Sequence, residues 1–221
     1  MLIGISGMIG SGKSVLSQKL AKHYKNKALL LQEFAEEDDV FNKMLEWFYE
    51  RRKNFDITFQ AYAIEHHLGA VSDIKAEFQK RKMDENEDLI LIDRFVAEHY
   101  VFATVNLENC KDKFKKAYDG FFYEIVQPED LPEFAIFLDV SMENFKKRLF
   151  KRGRQVEIDA WDANKDYFEK LLSIYKETFT TVAKKYNIEF VVIDTNNLTE
   201  AQVYKTAVEL IENYKEGKKH D

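Results

Sequence analysis

A cluster of glycines near the start of the sequence is followed directly by a lysine and a serine. The segment matches the pattern G-x-x-x-x-G-K-[ST], with the residues Gly7, Met8, Ile9, Gly10, Ser11, Gly12, Lys13 and Ser14. In such a segment, main-chain N–H groups and a helix N-terminus surround phosphate groups. Lys13 would neutralise the β- and γ-phosphates of a nucleoside triphosphate, and the Ser14 hydroxyl would ligate Mg²⁺. A turn that only capped a helix would not need the Lys-Ser pair, so the motif predicts nucleoside triphosphate binding.

A carboxylate, Glu33, ends the segment 28–33, which begins with four apolar residues. In an open α/β sheet, ligands bind at the carboxyl ends of the strands, so Glu33 is expected near the transferred phosphoryl group. A carboxylate there would repel a phosphorylated acceptor but could take a proton from an uncharged hydroxyl. The residue type therefore favours an alcohol as the acceptor. The alternative is that Glu33 only forms an ion pair with Lys13 or Arg94.

An acid and a base, Asp93 and Arg94, follow the apolar run 89–92. Asp93 fits a second anchor for Mg²⁺ that acts through a water molecule. Arg94 could reach either Glu33 or the phosphates. The alternative is a simple salt bridge at the end of a strand.

A basic stretch follows the fourth apolar run. Arg148 and Arg152 are four residues apart and share a helix face, and Gly153-Arg154 would break the helix into a loop. Such an arginine-bearing segment, about 148–160, could close over the phosphates as a lid and stabilise the charge of the transition state. The alternative is a solvated basic face.

Short apolar runs alternate with long segments of 3.6-residue periodicity, which predicts an α/β fold. The runs 2–5, 28–31, 89–92, 134–140 and 188–193 are continuous, as in strands buried on both faces. Helices are predicted at about 14–24, 40–53, 57–82, 94–127, 141–152, 161–187 and 198–215. We expect a five-stranded parallel sheet with helices on both faces, the P-loop kinase fold, in a single domain over residues 1–221. The Lys- and Glu-rich end, residues 214–221, is expected to be frayed.

The composition is typical of a folded protein. Of the 221 residues, 45% are hydrophobic, 33% are charged and one is a cysteine. The chain can therefore bury a full core without disulfides, and it fits a reducing compartment such as the cytoplasm. The net charge of −6 argues against nucleic acid as a partner. The sequence shows no basic leader and no apolar run near the roughly 18 residues of a membrane-spanning helix, so we expect no membrane partner.

These residues together resemble the deoxynucleoside kinase family, whose P-loop enzymes phosphorylate the 5′-hydroxyl of deoxyribonucleosides. The resemblance extends from the phosphate loop to about Glu157. It implies that Glu33 is the general base for the 5′-hydroxyl and that Tyr49 binds the sugar. It also implies that Phe59 stacks on the nucleobase, that Gln60 hydrogen-bonds the base edge and that Glu157 reaches the 3′-hydroxyl.

The register of Gln60 and His67 adds a physical argument about the acceptor. Both residues share one face of the helix predicted at 57–82, which brings an amide and an imidazole to the same side. An amide donates and accepts at once, which suits the edge of adenine or guanine. An isolated histidine is more often a core or surface residue, so the prediction for His67 depends on its register with Gln60.

The sequence departs from the family at several positions. Phe95 stands where Ser or Thr commonly follows the Asp-Arg pair, and His67 stands where the family has a base-contacting arginine. The base-contacting acid falls on either Glu98 or His99. Phe102 matches a second stacking phenylalanine if one residue is deleted, as in the bacterial branch that includes deoxyadenosine and deoxyguanosine kinases. That branch favours a purine.

The resemblance implies ATP-dependent transfer of the γ-phosphoryl group to a deoxynucleoside in nucleotide salvage. Glu33 would take the proton, Ser14 and Asp93 would hold Mg²⁺, and cationic side chains would stabilise the transferring phosphoryl group: Lys13, Arg94, Arg148 and Arg152. One alternative is a nucleoside monophosphate kinase such as thymidylate kinase, which would need cationic anchors where Glu33 stands. Another is a nucleotide-regulated binding module.

Family members are commonly homodimers, so the resemblance also implies a homodimer. The aromatic-rich stretches 95–102 and 114–122 could form such an interface, or they could belong to the core.

Overall fold

One parallel sheet organises the molecule. The computed structural model describes residues 1–32, 39–50, 52, 55–152 and 161–219, apart from the side chains of residues 45, 49, 152, 162 and 163. Its strands occur in the order β2-β3-β1-β4-β5 and are all parallel: β1 (Leu2–Gly7), β2 (Ala28–Leu31), β3 (Leu89–Asp93), β4 (Phe134–Asp139) and β5 (Glu189–Asp194). Starting from β1, the chain builds one half of the sheet on one side of this strand and the other half on its other side. Such a switch point leaves a crevice at the carboxyl ends of the strands.

Helices connect and cover the strands. They are α1 (Lys13–Tyr24), α2 (Asp39–Tyr49), α3 (Asp56–Lys80), α4 (Ala97–Asn106), α5 (Asp112–Ile125), α6 (Met142–Arg152), α7 (Trp161–Lys185) and α8 (Glu200–Lys218). The predicted five-stranded parallel sheet between helical layers is confirmed. Across the described part of the chain, no helix combines the length and apolar character needed to cross a membrane.

The two faces of the sheet bury separate apolar layers. Alternate residues of β1 and β3 point to opposite sides, so Ile3 and Leu91 join the layer under α1 and α8, whereas Leu2 and Ile92 join the layer under α3, α4, α5 and α7. Both layers contain fully buried side chains. Burial on both sides explains why the central strands β1, β3 and β4 read as continuous apolar runs, whereas the edge strands β2 and β5 are only partly buried.

Phe95, the unexpected residue after the Asp-Arg pair, fills space left by a glycine. A Cβ added to Gly4 would lie 2.6 Å from Cδ1 of Phe95 and 2.9 Å from Cγ of Pro132. Phe95 is fully buried and its ring meets that of Phe179 edge to face, with centroids 5.8 Å apart. This position therefore belongs to the core.

The helix predicted at 94–127 is wrong in one respect, because the structure divides this segment into α4 and α5. Lys111 adopts an extended conformation, with φ −59° and ψ 143°. The break folds α5 back against α4, where the Tyr118 hydroxyl donates to the carbonyl of His99 at 3.3 Å and the Tyr100 hydroxyl donates to Asp119 at 2.8 Å. Tertiary packing outweighs the helical periodicity of the sequence.

The expectation of a frayed end is also wrong for residues 214–218, since α8 continues to Lys218. The Tyr214 ring stacks on Phe134 with centroids 4.6 Å apart, and Lys218 forms an ion pair with Glu133. Beyond the helix, Lys219 lies 2.6 Å from a carboxylate oxygen of Glu87. A packed ring and ion pairs to residues far away in the sequence hold this end against the rest of the fold.

Candidate active site

The phosphate loop, residues 7–14, joins β1 to α1 at the carboxyl edge of the sheet. Gly7 has φ 139°, and a Cβ there would lie 2.5 Å from the carbonyl oxygen of Leu138, so a side chain does not fit. Gly12 has φ 104° and starts α1 without a side-chain cap. The first turn of α1, which is fully described, contains no acidic residue. Its N–H groups and positive helix end are therefore suited to bind an anion.

Lys13 is held inside this loop. Its side chain is 5% exposed, and Nζ donates hydrogen bonds to the carbonyl oxygens of Gly7 at 2.8 Å and Met8 at 3.2 Å. Ser14 is exposed on the first turn of α1. The loop thus presents an ammonium group and a hydroxyl at the anion-binding helix end, as the motif predicts.

Arg148 of α6 connects the phosphate loop to the end of β5. Its guanidinium donates to the carbonyl of Ser11 at 2.9 Å, to the Thr195 hydroxyl at 2.9 Å and to the Thr195 carbonyl at 2.7 Å. The Thr195 hydroxyl donates in turn to the carbonyl of Asp139 at 2.8 Å. Arg148 therefore braces the loop from its outer side, and the predicted contact with phosphates stays a prediction.

Arg94 lies at the end of β3 within a buried polar cluster. Its Nη1 donates to Glu98 Oε2 at 3.2 Å and to the Tyr175 hydroxyl at 2.7 Å, and the Tyr175 hydroxyl donates to Glu98 Oε2. We refer to these three side chains as the Arg94 cluster; none is more than 3% exposed. The same Glu98 oxygen accepts the N–H of Gly7 at 3.3 Å. Glu98 is thus directed at the phosphate loop and Arg94.

The described polar residues of the acceptor side lie on α3 and α4. Gln60 and His67 are 2% and 8% exposed, and their Nε2 atoms have no hydrogen-bond partner among the described residues. The His67 ring meets that of His99 edge to face, with centroids 5.3 Å apart. As predicted, Gln60 and His67 lie on the same buried face of α3, and His99 of α4 contacts His67 there.

Burial keeps both imidazoles uncharged. Desolvation, together with the nearby His66 and Arg94, lowers the pKa of His67 to about 4. Desolvation, followed by His67 and Arg94, lowers the pKa of His99 well below its ordinary value. At neutral pH, each ring therefore carries one donor and one acceptor nitrogen.

The two phenylalanines expected to stack on a base have protein neighbours. The Phe59 ring stacks on Phe48 with centroids 4.6 Å apart and an interplanar angle of 21°. The Phe102 ring lies 4.7 Å from Cζ of Arg94 and meets Tyr175 edge to face. Phe59 therefore packs against α2, and Phe102 supports the Arg94 cluster.

The donor set predicted for Mg²⁺ consists of Ser14 and Asp93. Asp93 is 2% exposed at the end of β3, where its backbone is paired with Ile5 of β1. Within the described ranges, no three His, Cys, Asp or Glu side chains cluster to hold a metal by themselves. A hydroxyl and one carboxylate fit Mg²⁺, because this ion usually takes one or two carboxylates together with substrate phosphates and water.

Several predicted residues lie outside the part of the chain that the structure describes. These are the general base Glu33, the lid arginine Arg154 and the sugar ligand Glu157. Tyr49 and Arg152 belong to α2 and α6, and their side chains are not described.

Comparison with known proteins places this site in a family. The deoxynucleoside kinase family model matches residues 3–215. The chain belongs to the deoxynucleoside kinase family. It is a phosphotransferase with an alcohol group as acceptor, and the recognised resemblance is confirmed. Family membership also favours a nucleoside acceptor over the monophosphate acceptor of thymidylate kinase.

This deoxynucleoside kinase is similar to several named kinases. A deoxyadenosine kinase of Lactobacillus acidophilus is 29% identical over 79% of this chain and 78% of its own. A deoxyguanosine kinase of Lactobacillus johnsonii is 27% identical over 79% of this chain and 75% of its own. The structure of deoxyadenosine kinase from M. mycoides with bound dATP has a TM-score of 0.68 and 27% identity, covering 97% of this chain and 98% of the other.

The contacts that three residues make in this site were not predicted from the sequence, although Glu98 was one of two candidates for a base-contacting acid. Thr195 follows β5 in a polar segment, and its position at a strand end was a usable signal. Glu98 follows Arg94 by four residues, the spacing of a helical ion pair. Tyr175 contacts the site from a distant helix, and no local pattern marks it.

Proposed function

We propose that this deoxynucleoside kinase transfers the γ-phosphoryl group of ATP to the 5′-hydroxyl of a purine deoxynucleoside in cytoplasmic nucleotide salvage. The names of the two Lactobacillus relatives, which are a deoxyadenosine and a deoxyguanosine kinase, support a purine acceptor. The phosphate loop with its buried Lys13 supports a triphosphate donor.

The observation that carries the proposal is the buried, uncharged polar face formed by Gln60, His67 and His99. Two nitrogen atoms on this face lack partners among the described residues. Buried polar groups are almost always hydrogen-bonded, so such atoms indicate a ligand with donors and acceptors of its own. A purine edge has both, and neutral imidazoles and an amide can match either adenine or guanine.

In the proposed reaction, each residue acts on the acceptor hydroxyl or on the transferred phosphoryl group. Glu33 takes the proton of the 5′-hydroxyl, and cationic side chains stabilise the charge on the phosphoryl group: Lys13, Arg94, Arg148 and Arg152. Arg154 binds the donor phosphates. Mg²⁺, held by Ser14 and through water by Asp93, would neutralise the charge of the phosphates.

The nucleoside would be bound by side chains from several helices. Tyr49 and Glu157 hold the sugar in this proposal. Phe59, Gln60 and His67 surround the base, and Phe102 lies at the second stacking position.

We also propose that the kinase is a homodimer, as the family resemblance implies. Phe95 and Phe122 of the aromatic-rich stretches are fully buried in the core, whereas Phe114 is 36% exposed. Light scattering on the purified chain should give twice the mass of 26.1 kDa. A mass of one chain at micromolar concentration would contradict the dimer.

A panel of four deoxynucleosides with ATP and Mg²⁺ tests the acceptor. Phosphorylation of deoxyadenosine or deoxyguanosine should have the highest kcat/KM. Deoxycytidine is an informative member of the panel, since the M. mycoides deoxyadenosine kinase was also solved with bound dCTP. A preference for deoxycytidine or thymidine would overturn the purine assignment. If the enzyme phosphorylated deoxynucleoside monophosphates but no deoxynucleoside, the proposed reaction would be overturned.

Glu33→Gln tests the general base. The amide cannot accept the proton, so kcat should fall by roughly 10² to 10⁴ while nucleoside binding, measured by calorimetry, persists. A matched control is Glu46→Gln, which changes an exposed carboxylate on α2. An unchanged kcat in Glu33→Gln would remove Glu33 from the mechanism.

A further inference from the structure

The backbone of Arg94 is held in a conformation that its residue type disfavours. Arg94 has φ 68°, in the left-handed region. A non-glycine residue adopts this region at a cost in free energy, and it persists only where the surroundings determine it. The Arg94 N–H donates to the carbonyl of Ile5 at 3.0 Å, so the β1–β3 pairing continues through this strained residue. The backbone conformation therefore fixes the direction of the Cα–Cβ bond of Arg94.

The Arg94 cluster fixes the other end of the same side chain. Glu98 and Tyr175 both accept from Nη1, and the Phe102 ring lies against the guanidinium. A buried ion pair contributes little net stability compared with apolar residues of the same shape, because both charges must be desolvated. Geometry, rather than stability, is what this arrangement provides.

The cluster also reaches the phosphate loop. Oε2 of Glu98, which accepts from Arg94 and Tyr175, accepts the N–H of Gly7 as well. Gly7 is the first residue of the loop, and its conformation leaves no room for a side chain. A displacement of the Glu98 carboxylate would therefore move both the guanidinium and the entry to the donor loop.

Tyr175 brings a distant helix into this arrangement. It lies on α7, which begins at Trp161, directly after the predicted lid in the sequence. Its hydroxyl accepts from Arg94 and donates to Glu98, so it orients both partners at once. A phenylalanine would pack in the same place but would make neither hydrogen bond.

We infer that Glu98 and Tyr175 are positioning residues for phosphoryl transfer, which act by holding the Arg94 guanidinium where charge develops on the phosphoryl group, while Glu98 also anchors the first residue of the phosphate loop. This inference rests on the proposed function, in which Arg94 stabilises that charge. It also assigns Glu98 to the phosphate side of the site instead of the nucleobase.

A double-mutant cycle of Tyr175→Phe and Arg94→Lys tests the inference. In the wild-type background, Tyr175→Phe should lower kcat by about tenfold, because a misplaced guanidinium stabilises the transition state less, and should change both KM values by less than about twofold. In the Arg94→Lys background, the same substitution should lower kcat by less than about twofold. The rate of single-turnover phosphoryl transfer from labelled ATP is measured for the wild type, the two single variants and the double variant.

The control is Tyr186→Phe, which removes a half-buried hydroxyl that donates to the carbonyl of Val126 at 3.3 Å. It should leave kcat unchanged. Equal losses in both backgrounds, or a rise in KM with an unchanged kcat, would overturn the positioning role. Melting temperatures of all variants separate lost folding from lost transfer.

Glu98→Gln provides a second variant if Tyr175→Phe does not fold. It keeps the shape of the side chain and removes the charge, and kcat should fall at least tenfold with KM values unchanged. A folded Glu98→Gln protein with the wild-type kcat would contradict the inference. If the wild-type protein phosphorylates no deoxynucleoside, the proposed function itself fails, and this outcome is distinct from the failure of the positioning role.

Discussion

The proposed donor and acceptor sides of the active site are built in opposite ways. The donor side is one continuous segment, residues 7–14, and the Lys13 ammonium is bonded to carbonyl oxygens of its own loop. The acceptor side combines side chains from α3 and α4, and Nε2 of Gln60 and of His67 have no partner among the described residues. The donor loop is therefore organised before its ligand arrives, whereas the acceptor side keeps buried polar atoms for a ligand to satisfy.

Among the tests of this comparison, Lys13→Met should produce the largest effect and should act on the donor side alone. Loss of the ammonium from the loop should lower kcat by roughly 10² to 10³, because the charge on the phosphates is no longer neutralised. Nucleoside affinity, measured by calorimetry without ATP, should change by less than about twofold. Lys19→Met on the same helix is the control, since Lys19 forms an exposed ion pair with Glu200. A large loss of nucleoside affinity in Lys13→Met would show that the two sides are not independent.

The buried imidazoles should make the acceptor side sensitive to acid. Between pH 6.5 and about 4, His67 takes up a proton in the unfolded chain but not in the folded one. The free energy of unfolding should therefore fall by about 3 kcal/mol as the pH drops through this window. His66 and Arg94 add to the resistance of this ring to protonation, and the His99 ring meets it edge to face.

Urea unfolding of the His67→Asn variant at several pH values tests whether His67 causes the loss of stability in acid. The free energy of unfolding of the variant should depend less steeply on pH below 6.5. Its value at pH 7.5 gives separately the stability lost through altered packing. A slope equal to that of the wild type would mean that other groups cause the acid sensitivity.

Gln60→Leu should change function and stability in opposite directions. The kcat/KM for the preferred deoxynucleoside should fall by about 10- to 100-fold, because hydrogen bonds to the base are lost. The ligand-free protein should gain about 1 kcal/mol of stability, because a buried amide nitrogen without a partner disappears. Thermal unfolding without ligand and steady-state kinetics measure the two effects. Gln79→Leu, which changes an exposed residue of the same helix, is the control; a destabilised Gln60→Leu protein would contradict the comparison.

The same contrast explains what the sequence could predict. The donor loop was identified because its chemistry is contained in eight consecutive residues, and the sheet was identified because each of its strands contains a short apolar run. The shared register of Gln60 and His67 followed from helical spacing alone.

Contacts between distant elements were not accessible in this way. The assignment of Glu98 or His99 stayed open, because only the fold shows Glu98 bonded to Gly7 and His99 beside His67. Tyr175 was missed for the same reason. The division of 94–127 into two helices was missed because residues 107–111 contain neither glycine nor proline.

The contact between Gly4 and Phe95 has a consequence for how such enzymes can change over generations. Because the Phe95 ring and Pro132 occupy the volume that a methyl group on residue 4 would need, residue 4 is not free to vary alone. Alanine at this place in the first strand requires a smaller residue after the Asp-Arg pair and a shift of the proline, so these substitutions should be inherited together.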